Sequence, residues 1–99
     1  MSYSFLPPAR AELQEAVDYL DSCRTGLGAE FAAEVRRTID TIVLQPRVWA
    51  KISKNTRRCR LRVFKYAVLY QIREGDEVLI VAVAHLRRDP MYWRNRIDP

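Results

Sequence analysis

Apolar positions in the first half of the chain recur at the spacing of two amphipathic helices. Residues 2–6 alternate loosely and predict a short first strand, which two prolines end. The first helical stripe begins at Ala9 and ends before Gly26, and Pro8 suits its first turn because the missing N–H costs no hydrogen bond there. A second stripe predicts another helix that ends at Gln45, because a proline follows that residue.

The second half of the chain alternates with the two-residue period of β-strands. After a predicted loop at 46–56, apolar and basic side chains take opposite faces of one strand, which holds Cys59, Leu61 and Val63 on one side and Arg58, Arg60 and Arg62 on the other. Residues 66–72 and 78–84 predict two further strands joined by a tight turn. The last strand is apolar at the positions that face either side of the sheet, which is typical of a central strand.

These elements predict an α+β fold of one domain over residues 1–99, in the order β-α-α-β-β-β with a short C-terminal helix. We expect a four-stranded, mainly antiparallel sheet with the helical hairpin packed on one face and the first strand at the edge, beside the last. The opposite face is then uncovered and carries Arg58 and Arg60. Arg62 is expected near the end of the sheet where His85 and Arg87 follow the last strand.

Charge is unevenly distributed along the chain. The net charge is −2 over residues 1–50 and +7 over residues 51–99, so the overall pI of about 9.6 comes from the second half. This asymmetry favours an acidic partner or a nucleic acid that meets one face of the protein.

The segment after the last strand has the densest chemistry in the chain. One histidine, four arginines and two aromatic rings lie there: His85, Arg87, Arg88, Tyr92, Trp93, Arg94 and Arg96. Arginine provides fixed charge and bidentate geometry for phosphate or carboxylate, and aromatic rings provide faces for stacking. A solvated basic tail is the alternative, but this mixture at a strand end favours a site for an anionic partner.

Several classes of protein are not expected from the composition. No apolar run approaches the ~20 residues that cross a bilayer, and the first residues lack the pattern of a signal peptide, so we expect a cytoplasmic protein with no membrane partner. Cys23, Cys59 and a single histidine lack the spacing of a zinc site, and no metal, cofactor or disulfide is expected. A catalytic thiol at Cys59 paired with His85 is conceivable, but the alternation favours a core position for Cys59.

The order of elements and a series of short segments resemble the RelE/ParE superfamily of bacterial toxins, also known as plasmid stabilisation proteins. The matching segments cover nearly the whole chain: Pro8-Ala9, 26–31, 42–46 with Trp49, Arg57-Arg58, 64–70, 83–90 and Tyr92-Trp93. The resemblance implies the toxin of a type II toxin–antitoxin module, held in a hetero-oligomer by a cognate antitoxin. Some members cleave mRNA in the ribosome, and others inhibit DNA gyrase without being nucleases.

For a nuclease, the resemblance implies a metal-independent mechanism carried by basic and aromatic side chains. The candidate catalytic residues are His85, Arg87, Arg88 and Tyr92, and imidazole is the side chain that changes charge near neutral pH. The candidate antitoxin-binding or nucleic-acid-binding residues are Arg58, Arg60, Arg62, Arg94 and Arg96, with the last two either solvated or facing the antitoxin.

One position departs from the nuclease pattern. RelE-type nucleases commonly carry an arginine directly after the third-strand tyrosine, and here Ala67 follows Tyr66. Without a cation at the scissile phosphate, a nuclease would lose several kcal/mol of transition-state stabilisation unless another group replaced it. The sequence therefore favours gyrase inhibition, with mRNA cleavage as the alternative and an inactive, antitoxin-binding member as a third possibility.

Overall fold

The helices and strands follow the order that the sequence predicts. The computed structural model describes residues 2–97. Its elements are β1 (Tyr3–Phe5), α1 (Pro7–Cys23), α2 (Leu27–Leu44), β2 (Arg57–Arg60), β3 (Tyr66–Ile72) and β4 (Val78–His85). The expected C-terminal helix is a single 3₁₀ turn at Arg94–Arg96, and another 3₁₀ turn joins β3 to β4.

The sheet has the order β1-β4-β3-β2. β1 runs parallel to β4, and the other neighbouring pairs are antiparallel. Strand β4 is therefore central, as its continuous apolar sequence predicts, and α1 and α2 cover one face of the sheet, called here the helix face. The predicted α+β fold class, with an N-terminal helical hairpin on a mainly antiparallel sheet, is confirmed.

The turn between the helices depends on two glycines. Gly26 has φ +90°, a left-handed conformation that favours glycine. A Cβ at Gly28 would collide with the backbone carbonyl of Val17 on α1, so the close approach of the two helices requires glycine there. The carboxylate of Asp21 accepts the backbone N–H groups of both glycines, at 2.9 and 3.3 Å.

A one-residue irregularity in β4 determines which of its apolar side chains face each side of the sheet. Tyr70 pairs with Ile80, but the next residue back along β3, Leu69, pairs with Ala82, so Val81 is an extra residue on β4. Such a bulge changes which side chains face each side of the sheet. Val78, Ile80 and Val83 pack in the core under the helices, and Val81, Ala82 and Ala84 pack in a second cluster.

The second cluster corrects the expectation of an uncovered sheet face. The C-terminal segment folds back over the face opposite the helices, called here the second face, and Trp93 is fully buried in the cluster with Ala67, Leu69 and Val81. The indole N–H of Trp93 donates to the carbonyl of Pro90 at 2.7 Å, which satisfies the polar atom of this buried ring. Only part of the second face therefore remains open to a partner.

Strand β2 is shorter than the alternation predicts. The strand ends at Arg60, because the buried carboxylate of Glu34 on α2 accepts the backbone N–H groups of Arg62 and Val63 and draws the chain away from the sheet. The prediction that Val63 shares the buried face of Cys59 and Leu61 is wrong, since Val63 is 80% exposed. Arg62 consequently lies beyond the strand rather than on its basic face.

Candidate functional site

The carboxylate of Glu12 on α1 joins the helical hairpin to the C-terminal segment. Arg96 binds it through both terminal nitrogens, with Nη1 2.8 Å from Oε1 and Nη2 2.6 Å from Oε2. The Tyr92 hydroxyl donates to Oε2 at 2.7 Å, and Arg88 Nη1 lies 3.4 Å from the same oxygen. These four side chains are called here the Glu12 network.

The network covers an open stretch of the central strand. β1 is so short that its pairing with β4 ends at Ile80, whose carbonyl accepts the N–H of Leu6 at 2.9 Å. Beyond that point, the Val83 N–H donates to Glu12 Oε1 at 3.1 Å, and the Val81 carbonyl accepts from Arg96 Nη1 at 3.1 Å. The two side chains thus satisfy backbone groups that a longer first strand would have paired.

The electrostatics of the network favour its charged form. Burial opposes ionisation of Glu12, but the hydrogen bonds from Arg96, Tyr92 and the Val83 N–H outweigh it, and the pKa of this carboxyl is lowered. Burial and the hydrogen bond to Glu12 raise the pKa of Tyr92. The hydrogen bond to Glu12 likewise raises the pKa of Arg96. The network therefore holds an ionised carboxylate, a neutral phenol and a guanidinium across the neutral pH range.

Arg88 connects the Glu12 network to the solvent. Its guanidinium lies 3.8 Å from the centroid of the Tyr92 ring, within the range of a cation–π contact. The side chain is about half exposed, in contrast to the largely buried Arg96. Arg88 is therefore the member of the network that a partner can reach.

A shallow depression adjoins the network on the second face. Its lining includes Arg58, Ala67, His85, Arg88, Tyr92 and Trp93. Nδ1 of His85 accepts the backbone N–H of Arg87 at 3.0 Å, and the imidazole packs edge-on against the Tyr66 ring with centroids 5.0 Å apart. Nδ1 is thus occupied as an acceptor, which assigns the imidazole proton to Nε2 in the neutral ring.

The structure brings some of the predicted residues together and separates others. Arg58, His85, Arg88 and Tyr92 line one depression, although they come from two strands and the C-terminal segment. Four other predicted site residues lie outside the depression and are exposed: Arg60, Arg62, Arg87 and Arg94. Arg96 departs from the expected solvated or antitoxin-facing position, because Glu12 binds it and leaves its side chain 16% exposed.

Glu12 is the residue that sequence reasoning missed. The helical pattern places it among the polar positions of α1, beside the core position Leu13, and nothing distinguishes it from neighbouring carboxylates such as Glu15. Its importance arises from a contact 84 residues away along the chain. Pattern reasoning along one helix cannot detect such a contact.

The remaining candidate chemistry is limited. Among residues 2–97, no group of three or more His, Cys, Asp or Glu side chains is placed to hold a metal ion. Burial raises the pKa of Cys59 to about 11, so this thiol in the core under the helices stays protonated near neutral pH. Within the described part of the chain, no helix is both long and apolar enough to span a bilayer.

The family can be stated from a match over most of the chain. The family model described as "ParE toxin of type II toxin-antitoxin system, parDE" matches residues 3–90. The chain belongs to this ParE toxin family. It is accordingly the toxin of a type II toxin–antitoxin system. No curated protein matches the toxin in sequence.

Solved structures resemble the toxin in fold. A double-mutant form of the E. coli toxin RelE in the free state has a TM-score of 0.73 at 16% identity, covering 98% of this chain and 97% of RelE. The intact E. coli RelBE toxin–antitoxin complex has a TM-score of 0.65 at 16% sequence identity, and the match covers 88% of this chain and 98% of the matched chain. The chromosomal ParDE system from P. aeruginosa has a TM-score of 0.63 at 14% sequence identity, and the match covers 86% of this chain and 95% of the matched chain. At these identities the likeness establishes the shared fold.

Proposed function

We propose that this toxin arrests growth by binding and inhibiting DNA gyrase, and that it is not a nuclease. The observation that carries the proposal is the Glu12 network. Tyr92, a candidate catalytic residue, and Arg96, a candidate nucleic-acid-binding residue, are both hydrogen-bonded to a carboxylate of the same chain. A phenol that donates to a buried carboxylate and has a raised pKa is poorly suited to exchange a proton with a substrate.

The position of Ala67 supports the same proposal. Ala67 is buried, and it packs in one cluster with Ala84 and Trp93 beneath the C-terminal segment. A cation at this position would have to displace that cluster to reach a scissile phosphate. The slot in which related nucleases carry an arginine is thus filled by packing, which suits a protein whose surface, rather than its chemistry, acts on the target.

Messenger RNA cleavage is the second candidate, because one arrangement favours it. His85, Arg58 and Arg88 all contribute to the lining of one depression. A nuclease could use the imidazole for proton transfer and the guanidinium groups to stabilise charge on a phosphate. The imidazole would act without the help of a free Tyr92.

We further propose a cognate antitoxin as the partner that neutralises the toxin, with acidic residues that meet the exposed Arg60 and Arg62 and the half-buried Arg58. Charge pairs of this kind mainly raise the association rate and weaken with salt. Reversing these three charges to glutamate should slow association measured by surface plasmon resonance at low salt. A triple reversal at Arg10, Arg36 and Arg37 on the helices is the matched control. Equal effects of the two triple variants would contradict the placement.

Pulse labelling in growing bacteria separates the two target classes. Cells that express the toxin without an antitoxin are labelled with a DNA precursor and an amino acid at short intervals after induction. A gyrase inhibitor should stop DNA synthesis first, whereas an mRNA nuclease should stop protein synthesis within the first interval. Early loss of amino-acid incorporation with continued DNA synthesis would contradict gyrase as the target.

A further inference from the structure

A second basic cluster lies away from the depression at His85. A polar hollow is lined by five cationic side chains from the loop after α2, strand β2 and the end of β3: Arg47, Lys51, Lys54, Arg57 and Arg73. This group is called here the distal basic cluster. It adjoins Ile72 at the far end of β3 from Tyr66, which pairs with His85. Six residues at about 3.3 Å each separate the two ends, a distance of about 20 Å.

The backbone holds the distal basic cluster in place. Nη1 of Arg57 donates to the carbonyls of Arg47 and Trp49, at 3.1 and 2.8 Å, so one guanidinium fixes the loop that carries its neighbours. The same loop bridges to β2 between Lys51 and Arg57. The cations are therefore gathered by a folded segment rather than by a flexible tail, and little ordering is required when an anion binds.

Nearby carboxylates leave most of this positive charge uncompensated. Arg47 forms an exposed ion pair with Asp76 at 2.9 Å, and Glu74 also lines the hollow. Within residues 2–97, no ion pair engages Lys51, Lys54 or Arg73. Like charges held together repel one another, and a bound polyanion would relieve that repulsion.

The lining favours phosphates over a protein partner. Ile72 is the one apolar side chain among the residues that line this hollow. Protein–protein interfaces usually bury an apolar centre, whereas interfaces with nucleic acids are more polar and much more positively charged. We propose that the distal basic cluster binds the phosphate backbone of a nucleic acid. This site is separate from the depression at His85, and nucleic-acid binding there goes beyond the gyrase inhibition proposed above.

The surface between the two basic regions supports an extended ligand. A hollow lined by Lys54, Asn55, Trp93 and Arg94 lies between them. It shares Lys54 and Asn55 with the hollow that the distal basic cluster lines, and Trp93 with the depression at His85. A polynucleotide suits this row of neighbouring hollows, because its charges repeat along its length.

Fluorescence anisotropy with labelled oligonucleotides tests the proposal. The full chain is titrated against a 20-base-pair DNA duplex, a single-stranded DNA and a single-stranded RNA, at several salt concentrations. The test variant is Lys51→Gln/Lys54→Gln/Arg73→Gln. The matched control, Arg10→Gln/Arg36→Gln/Arg37→Gln, removes the same charge from exposed positions on the helices.

The test variant should bind at least one of the three probes about 10-fold more weakly than the wild type at low salt, and the control variant less than about 3-fold. For the duplex, each lost phosphate contact should also reduce the slope of log K against log salt by about 0.9. The three oligonucleotides distinguish DNA from RNA and double strands from single strands.

Three results would overturn the proposal. The first is an equal loss of oligonucleotide affinity in the two triple variants. The second is that the wild type binds none of the oligonucleotides at low salt. The third is that the wild type binds a 20-residue poly-glutamate as tightly as it binds the oligonucleotides. If the test variant does not fold, NMR of the isotope-labelled wild type replaces it. Added oligonucleotide should then shift the amide signals of residues 47–57 and 73–74, and shifts confined to 85–96 would contradict the assignment.

Discussion

Arg96 binds Glu12 through two hydrogen bonds, of 2.8 and 2.6 Å, across 84 residues of sequence. Both side chains are largely buried, at 16% and 10% exposure. The pair fastens the C-terminal segment to the first helix, and with it Trp93, which covers the second face of the sheet. Arg96, which the sequence associates with antitoxin or nucleic-acid binding, is thus part of what holds the fold together.

Replacing Glu12 with glutamine should destabilise the protein markedly. Glutamine keeps the size of the side chain, but it leaves Arg96 without its counter-charge in a largely buried position. Removing one partner of such a pair costs about 2–4 kcal/mol in the free energy of unfolding. Urea unfolding followed by circular dichroism measures the change. Glu15→Gln, at an exposed position on the same helix, is the control and should stay within about 0.5 kcal/mol of the wild type.

The Glu12 network should make stability depend on acid pH. The pKa of Glu12 is lowered in the folded protein, so its contribution is present above the unfolded value of about 4.3 and is lost as pH falls through the folded value. The unfolding free energy of the wild type should therefore approach that of Glu12→Gln as pH falls below about 5. Urea midpoints from pH 7 to pH 3 provide the comparison. A gap between the two proteins that stays constant over this range would contradict the lowered pKa.

Tyr92→Phe separates a structural role for the hydroxyl from a catalytic one. Phenylalanine keeps the ring beneath Arg88 and removes only the 2.7 Å hydrogen bond to Glu12. We expect a loss of about 1–2 kcal/mol in stability and growth arrest equal to that of the wild type. Induction of both proteins at matched soluble levels, with viable counts, measures the toxicity. A fall in killing of about 100-fold or more would indicate an acid–base role and support the nuclease.

The sequence predicted the fold well because the fold depends on local patterns. The two helical stripes, the alternation around Cys59 and the central position of residues 78–84 all follow from periodicity and turn residues. The end of β2 at Arg60 was not predictable, because Glu34 of another element causes it. The bulge at Val81 was also hidden, since an all-apolar strand gives no sign of which side chains change faces.

The candidate site was less predictable than the fold for a related reason. Residue types on β2 and at the end of β4 indicated where functional side chains concentrate, and four predicted residues do line one depression, namely Arg58, His85, Arg88 and Tyr92. The sequence could not indicate that Glu12 accepts hydrogen bonds from Tyr92 and Arg96, because these contacts depend on how the last segment folds back over the sheet. Long-range electrostatic pairs leave no periodic signal along a chain.

The most direct measurement is made with purified components. The toxin is titrated into a DNA supercoiling reaction with gyrase and, in parallel, into a translating extract in which mRNA is followed by primer extension. We predict that supercoiling is inhibited in proportion to the toxin, that an excess of antitoxin restores it, and that the mRNA stays intact. Ribosome-dependent cleavage of the mRNA, with supercoiling unaffected at the same toxin concentrations, would contradict the account.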